Sequence, residues 1–174
     1  MFERVDGKRQ IVLIEWKYTE SYSTASLKVA KSGTDRTVTY EDMFRADDCP
    51  LDKSLLPSFE SLFYEPFYQF MRQQFLAHKM ECAHEKGADI VSVLHVSPAC
   101  NADFRNVTSP ELAPLGDTAT SIWKRLVRPS DRFVSVSTEE LFGCLSAQDI
   151  PRLGAWLEYI HARYPWVQVN GSAA

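Results

Sequence analysis

The apolar residues of this chain are concentrated in runs that predict two buried strands with a long helix between them. Residues 11–18 begin as an unbroken apolar run, and residues 90–96 form a second run that is rich in β-branched side chains. Between them, residues 57–86 carry apolar side chains at helical spacing, with Pro66 at a first-turn position and Gly87 as the C-cap. A strand, a long helix and a second buried strand indicate a parallel crossover in an α/β sheet.

Turn signals and shorter periodic segments complete the predicted topology. Asp6-Gly7 is a strong hairpin dipeptide, so the few residues before it should pair with the first strand. The segment that follows this strand is weakly patterned. It predicts that residues 27–30 and 36–40 form an extended pair or separate extended arms, and that a short helix starts over 40–44. The later elements are a helix over 117–127, an extended segment over 133–137, a short helix over 138–145 and a final helix that ends at Arg163. Together they predict a single α/β domain with a mixed sheet and packed helices.

Two charged residues interrupt the first apolar run. Residues two apart on a strand point to the same face, so Glu15 and Lys17 share the side of Ile11 and Leu13. Both faces are apolar at the start of the strand, which predicts that helices cover both. A carboxylate and an ammonium at the end of such a strand are costly unless they are paired, hydrated or metal-bound. Glu15-x-Lys17 is therefore a candidate active site.

Composition and charge narrow the class of protein. The chain has 174 residues, 45% of them hydrophobic, which suits one globular domain with a core of its own. It contains no run near the ~20 apolar residues that a membrane helix needs, and it begins without a signal peptide, so we expect a cytoplasmic protein. The net charge of −4 is not the basic footprint of most nucleic-acid-binding domains, although a local basic groove is compatible with it.

The cysteines form no recognisable metal or redox motif. Cys49, Cys82, Cys100 and Cys144 lie far apart and none belongs to a C-x-x-C pair, so we predict buried free thiols. His78 and Cys82 are four residues apart on the long helix and could share a zinc ion, but the sequence shows no second pair of ligands. The sequence therefore does not favour a zinc site.

Glu15-Trp16-Lys17 matches the E-x-K half of the PD-(D/E)xK nuclease signature. Carboxylates suit Mg²⁺, which prefers hard oxygen ligands, and a lysine on the same strand face can orient a water molecule. The sequence around this motif resembles a restriction endonuclease family of the PD-(D/E)xK superfamily. This resemblance rests on residues 13–22, on 63–69 with 71–73, and on 95–98 with Asn101. The chain lacks the P-loop, dinucleotide-binding and nucleophile-elbow motifs, which removes those chemistries as leading alternatives.

The resemblance implies a restriction-endonuclease-like fold and DNA cleavage that depends on Mg²⁺ or Mn²⁺. Glu15 would bind the metal ion and Lys17 would position the attacking water, with DNA as the substrate. Gln69 and Arg72, three residues apart on one helix face, are candidate contacts to the scissile phosphate, the alternative being a solvated helix face. The pattern leaves a homodimer open.

The chain departs from the superfamily pattern at its beginning. The superfamily has an acidic metal ligand on the strand that precedes E-x-K, whereas here Asp6 sits in the hairpin turn and points away from Glu15. The matching aspartate would fall before Met1, so we expect a single nuclease-like domain that is N-terminally incomplete. An incomplete acid pair keeps a second hypothesis open, that of an inactive nuclease-fold module that binds nucleic acid or a protein partner.

Several residues near the motif have two interpretations. For Glu20 the sequence allows three predictions: a further metal ligand, a partner of Lys17 or an exposed side chain. Tyr18 and Tyr22 flank DNA or pack against other aromatic rings. His95, at the end of the second buried strand, and Asn101 line a pocket at the carboxyl ends of the strands, or serve a structural purpose.

Overall fold

A four-stranded mixed sheet organises the protein. The computed structural model describes residues 1–145 and 150–166. The strand order is β1-β2-β3-β4, with β1 antiparallel to β2 and the other pairs parallel. The strands are β1 (Phe2–Glu3), β2 (Arg9–Trp16), β3 (Ile90–Ser97) and β4 (Phe133–Ser137). The helices are α1 (Thr37–Arg45), α2 (Phe67–Cys82), α3 (Ala119–Leu126), α4 (Thr138–Gly143) and α5 (Ile150–Arg163). The predicted α/β class and the predicted parallel crossover are confirmed.

The predicted hairpin joins β1 to β2. The Gly7 amide donates a hydrogen bond to the Arg4 carbonyl at 3.0 Å, and Gly7 has a φ of +78°, a conformation that favours glycine. The Asp6 side chain accepts a hydrogen bond from the Lys8 amide at 3.2 Å. Asp6 therefore belongs to the turn, as the sequence predicts.

The parallel pairing of β2 with β3 places the candidate motif at the carboxyl ends of both strands. Glu15 pairs with His95 and Trp16 with Val96, and the Lys17 amide continues the ladder by donating to the Val96 carbonyl at 2.8 Å. All residues of β3 are buried except the partly buried Leu94. A rigid strand pair thus supports Glu15 and Lys17.

The prediction that β2 is covered on both faces is wrong. Ile14 is 61% exposed, because α4 and α5 reach only the end of the strand on that side. There the Trp16 ring lies 5.8 Å from Phe142 and 6.2 Å from Tyr164 between ring centroids. The opposite face, which carries Glu15 and Lys17, is the one that α2 packs against.

The main core lies between the sheet and the pair of helices α2 and α3. It is almost entirely apolar and aromatic, and its largest fully buried members are Trp123, Phe63, Phe67, Phe70, Phe75, Phe104 and Phe133. A smaller cluster of Phe142, Leu157 and Ile160 packs under α4 and α5 on the other side of the sheet. The larger core holds α2 along β3, with Phe70 beside His95 near the carboxyl end of the strand and Glu81 hydrogen-bonded to the Val91 amide near its start.

Helix α2 is shorter at both ends than its sequence predicts. Pro66 is its N-cap rather than a residue of its first turn, since a residue before proline is kept out of the helical region and the helix cannot include Glu65. At the other end His84 adopts the left-handed conformation with a φ of +48°, so the helix ends before Gly87. The apolar spacing of residues 57–66 belongs to a loop that contains a 3-10 turn.

The remaining predictions have mixed outcomes. An isolated bridge joins Val29 to Asp35, but the following residues form α1, which is longer than the predicted short helix. The predicted elements at 117–127, 133–137, 138–145 and the final helix are confirmed as α3, β4, α4 and α5. Among the described residues, no helix is long and apolar enough to cross a membrane.

The prediction of buried cysteines is wrong for most of them. Cys82, Cys100 and Cys144 are exposed, and Cys49 is partly buried; all four thiols are free. Each exposed cysteine lies at or beyond the end of a helix or strand, where the chain leaves the core.

Candidate active site

Glu15 and Lys17 form an ion pair at the end of β2. The Lys17 Nζ atom lies 2.8 Å from Glu15 Oε1 and 4.0 Å from Glu20 Oε1. Lys17 is only 8% exposed, so its ammonium needs these carboxylates to offset the loss of hydration. Of the alternatives for Glu20, the structure shows the one in which it is a partner of Lys17.

The loop after β2 is held in place by its own hydrogen bonds. The Tyr18 amide donates to Glu20 Oε2 at 2.7 Å, which fixes the carboxylate beside Lys17. The Asn101 amide group donates to the carbonyls of Tyr18 at 3.2 Å and Glu20 at 3.4 Å, and its oxygen accepts from the Phe104 amide. Of the two interpretations of Asn101, the structural one therefore fits, since its hydrogen bonds hold the loop that carries Glu20.

Glu65 approaches the same point from the segment before α2. Its carbonyl accepts a hydrogen bond from the buried Thr108 hydroxyl, while its carboxylate Oε2 is buried and has no hydrogen-bond partner within the described part of the chain. Burial raises the pKa of the Glu65 carboxyl, and the Gln69 amide groups with the charges of Lys17 and Arg72 partly oppose this shift. Glu65 is thus a carboxylate held in the site without its full set of partners.

Glu65 is not among the site residues that the sequence predicts. A signal was available, since Glu65, Gln69 and Arg72 follow one another at intervals of four and three, the spacing of a helix face. Pro66 obscures this signal, because Glu65 lies just outside the helix whose face it extends.

Tyr22 places a hydroxyl among these carboxylates. Its ring packs edge to face on Phe104 with a centroid distance of 5.8 Å, and its Oη atom is buried without a hydrogen-bond partner among the described residues. Burial, followed by the charges of Glu65, Glu20 and Glu15, raises the Tyr22 pKa, so the phenol stays protonated at neutral pH. Tyr18 instead packs against Tyr164 and Trp166.

One open cleft, of about 680 Å³, joins Glu15, Lys17 and Glu65. Its lining combines the end of β2, part of α1, Glu65 and the outer face of α2, namely Glu15, Lys17, Tyr40, Met43, Glu65, Gln69, Arg72, Gln73, Phe75, Leu76 and Lys79. Arg72 lies over the Tyr68 ring, with 5.5 Å from its guanidinium carbon to the ring centroid. All four residues singled out by the sequence, Glu15, Lys17, Gln69 and Arg72, therefore face one cleft.

His95 does not line this cleft. It is fully buried, its ring stacks on Phe104 at a centroid distance of 4.3 Å, and neither ring nitrogen has a hydrogen-bond partner in the part of the chain that the structure describes. Burial, helped by the charges of Lys17 and Arg105, lowers the His95 pKa to about 3. The hypothesis of a pocket histidine is wrong, because the ring is part of the aromatic core.

The buried His95 should make the fold sensitive to acid. Its pKa is about 3 when folded, against 6.5 as the ordinary value, so between these values the unfolded chain binds the extra proton. The free energy of unfolding should then fall as pH drops below about 6.5, by roughly 1.4 kcal/mol per pH unit at most. Urea unfolding measures this effect as the decrease in the free energy of unfolding between pH 6.5 and pH 4.5. This decrease should be smaller in His95→Phe than in the unmodified protein by about 2 kcal/mol.

The exposed histidine of α5 provides the control for this measurement. A His161→Phe variant should lose as much stability in acid as the unmodified protein. Equal acid losses in His95→Phe and in the unmodified protein would contradict the prediction.

A family model described as "Restriction Endonuclease associating with ARP" matches residues 2–165, which include every residue of the cleft described above. No curated protein and no solved structure matches the chain.

Proposed function

Because the chain belongs to this restriction endonuclease family, we propose that it is a metal-dependent DNA endonuclease of the PD-(D/E)xK type that hydrolyses phosphodiester bonds. The observation that carries the proposal is the convergence of Glu15 and Lys17 with Glu65, Gln69 and Arg72 on one cleft. These residues come from two segments that are far apart in sequence, the end of β2 and the beginning of α2, and they combine acidic, basic and amide groups that suit phosphodiester hydrolysis.

The carboxylates of Glu15 and Glu65 are the proposed ligands of Mg²⁺ or Mn²⁺. They suit such an ion because both are hard oxygen donors and because Glu65 Oε2 is buried with no other partner among the described residues. Glu65 would provide the second carboxylate that the signature requires. The ion, when bound, supplies positive charge against the phosphate and makes the attacking water more acidic.

The other residues of the cleft take roles that their charges and positions allow. The Lys17 ammonium, held at 2.8 Å by Glu15, would orient the attacking water and offset phosphate charge. Gln69 and Arg72 would hold the scissile phosphate from α2, where Lys79 adds a further positive charge. Tyr22 keeps its proton beneath the cleft, where its buried hydroxyl lies near the charges of Glu15 and Glu65. This local arrangement would allow a chain whose net charge is −4 to bind DNA.

Calorimetric titration with Mg²⁺ tests the metal site. We expect binding to the unmodified protein and a loss of about tenfold or more in affinity for Glu15→Gln and for Glu65→Gln, because each change removes one charged oxygen ligand. Glu60→Gln is the matched control, since Glu60 pairs with Lys28 outside the cleft and the change should leave the affinity unaltered. Absence of binding, or binding that both cleft variants retain, would contradict the proposed site.

A second candidate is an inactive nuclease-fold module that binds nucleic acid or a protein partner. The acidic net charge of −4 favours this candidate. DNA binding that persists without magnesium, together with no Mg²⁺ binding that depends on Glu15, would support it over the nuclease.

A further inference from the structure

Three side chains of metal-binding type meet on the outer side of α2. His78 Nε2 lies 3.2 Å from Asp48 Oδ2, which belongs to the loop after α1, and 3.6 Å from Cys82 Sγ, one turn further along α2. The ligand atoms of all three residues lie within 4.8 Å of one another. Asp48 is the third ligand that the sequence did not reveal, since it precedes His78 by 30 residues.

We propose that Asp48, His78 and Cys82 form a binding site for Zn²⁺. A tetrahedral zinc ion with bonds of about 2.3 Å to sulfur and 2.0–2.1 Å to nitrogen and oxygen separates its ligands by about 3.6 Å (S to N) and 3.3 Å (N to O). The observed separations are 3.6 Å and 3.2 Å, and the same ring nitrogen takes part in both. Cys82 Sγ also lies 3.9 Å from His78 Nδ1, and the third pair of ligand atoms, those of Cys82 and Asp48, lies within 4.8 Å. A single ion can therefore contact all three residues once their side chains rotate to point Nε2, Sγ and the carboxylate at it, with the backbone unchanged.

The chemistry of the three groups separates this site from the carboxylates of the cleft. Thiolate and imidazole ligands favour zinc over magnesium, whereas Glu15 and Glu65 offer only hard oxygens. Asp48 and Cys82 are exposed and His78 is partly buried, which leaves room for water at a fourth position. A bound ion would fasten the loop after α1 to α2, the helix that carries Gln69 and Arg72.

Cobalt substitution provides a direct test, because Co²⁺ bound by a thiolate gives a charge-transfer band in the near ultraviolet. The chelator-treated protein should bind one equivalent of Co²⁺ with this band, and Zn²⁺ should displace it. The band should disappear in Cys82→Ser, and the Zn²⁺ affinity should fall at least tenfold in His78→Gln and in Asp48→Asn. Cys100→Ser and His84→Gln are matched controls outside the cluster and should bind like the unmodified protein.

Thermal unfolding provides a readout that does not depend on spectra or on nuclease activity. Zn²⁺ should raise the Tm of the unmodified protein and of Glu15→Gln, but not that of Cys82→Ser, since only the last variant lacks a zinc ligand. The proposal is overturned if the unmodified protein binds no stoichiometric Zn²⁺, or if the cobalt band persists in Cys82→Ser. A loss of zinc binding in Glu15→Gln would assign the ion to the cleft instead.

Discussion

Replacement of Lys17 by alanine is expected to abolish Mg²⁺-dependent nicking of supercoiled plasmid DNA, with a loss of about 100-fold or more in rate. The reason is that the ammonium lies 2.8 Å from Glu15 and is buried between carboxylates, so no solvent cation can replace it in the same position. The measurement is the rate of conversion of supercoiled to open-circular DNA at saturating Mg²⁺.

Two further variants make this result interpretable. Lys17→Met keeps the apolar stem and removes only the charge, so it should fold like the unmodified protein and lose the same activity. Lys28→Ala removes a lysine whose ion pair with Glu60 lies outside the cleft, and it should retain full activity. Nicking that survives both Lys17 variants, or that is absent from the unmodified protein, would contradict the nuclease assignment.

Glu65→Gln is expected to lose a comparable share of activity, because the variant keeps the shape of the side chain and removes a charged ligand of the metal. Burial raises the Glu65 pKa, and protonation of its carboxylate removes a metal ligand. As the pH is lowered, the activity of the unmodified protein should therefore begin to decline at a higher pH than if Glu65 had the pKa of an ordinary glutamate. Glu60→Gln, on the neighbouring loop, should have no effect on nicking.

The Glu65→Gln substitution, which should lower activity, should leave stability unchanged or raise it. Because the folded pKa is raised, the folded state holds more protons than the unfolded state between the two pKa values, and stability falls as pH rises through this window. Removal of the charge should therefore leave the Tm at neutral pH equal to or above that of the unmodified protein. A lower Tm together with lost activity would indicate that Glu65 serves the fold instead of the reaction.

The strand arrangement and the candidate motif could be predicted largely from the sequence, since both follow from local patterns. Glu15 and Lys17 share a face because side chains alternate along a strand, and the strand–helix–strand order indicates parallel pairing. The ends of α2 were predicted less well. Both depend on single residues, since Pro66 stops the helix before Glu65 and the left-handed His84 ends it before Gly87.

The sequence by itself determined which residues alternate, repeat at helical spacing or resemble the nuclease signature, and this was enough to choose Glu15, Lys17, Gln69 and Arg72. Only the tertiary structure decided that Glu65 faces Lys17, that Asp48 meets His78, and that His95 is enclosed in aromatic core. These outcomes depend on contacts between residues distant in the chain, which no local periodicity encodes. Packing of α2 against the carboxyl end of β2 thus assembles the candidate site from parts that the sequence presents separately.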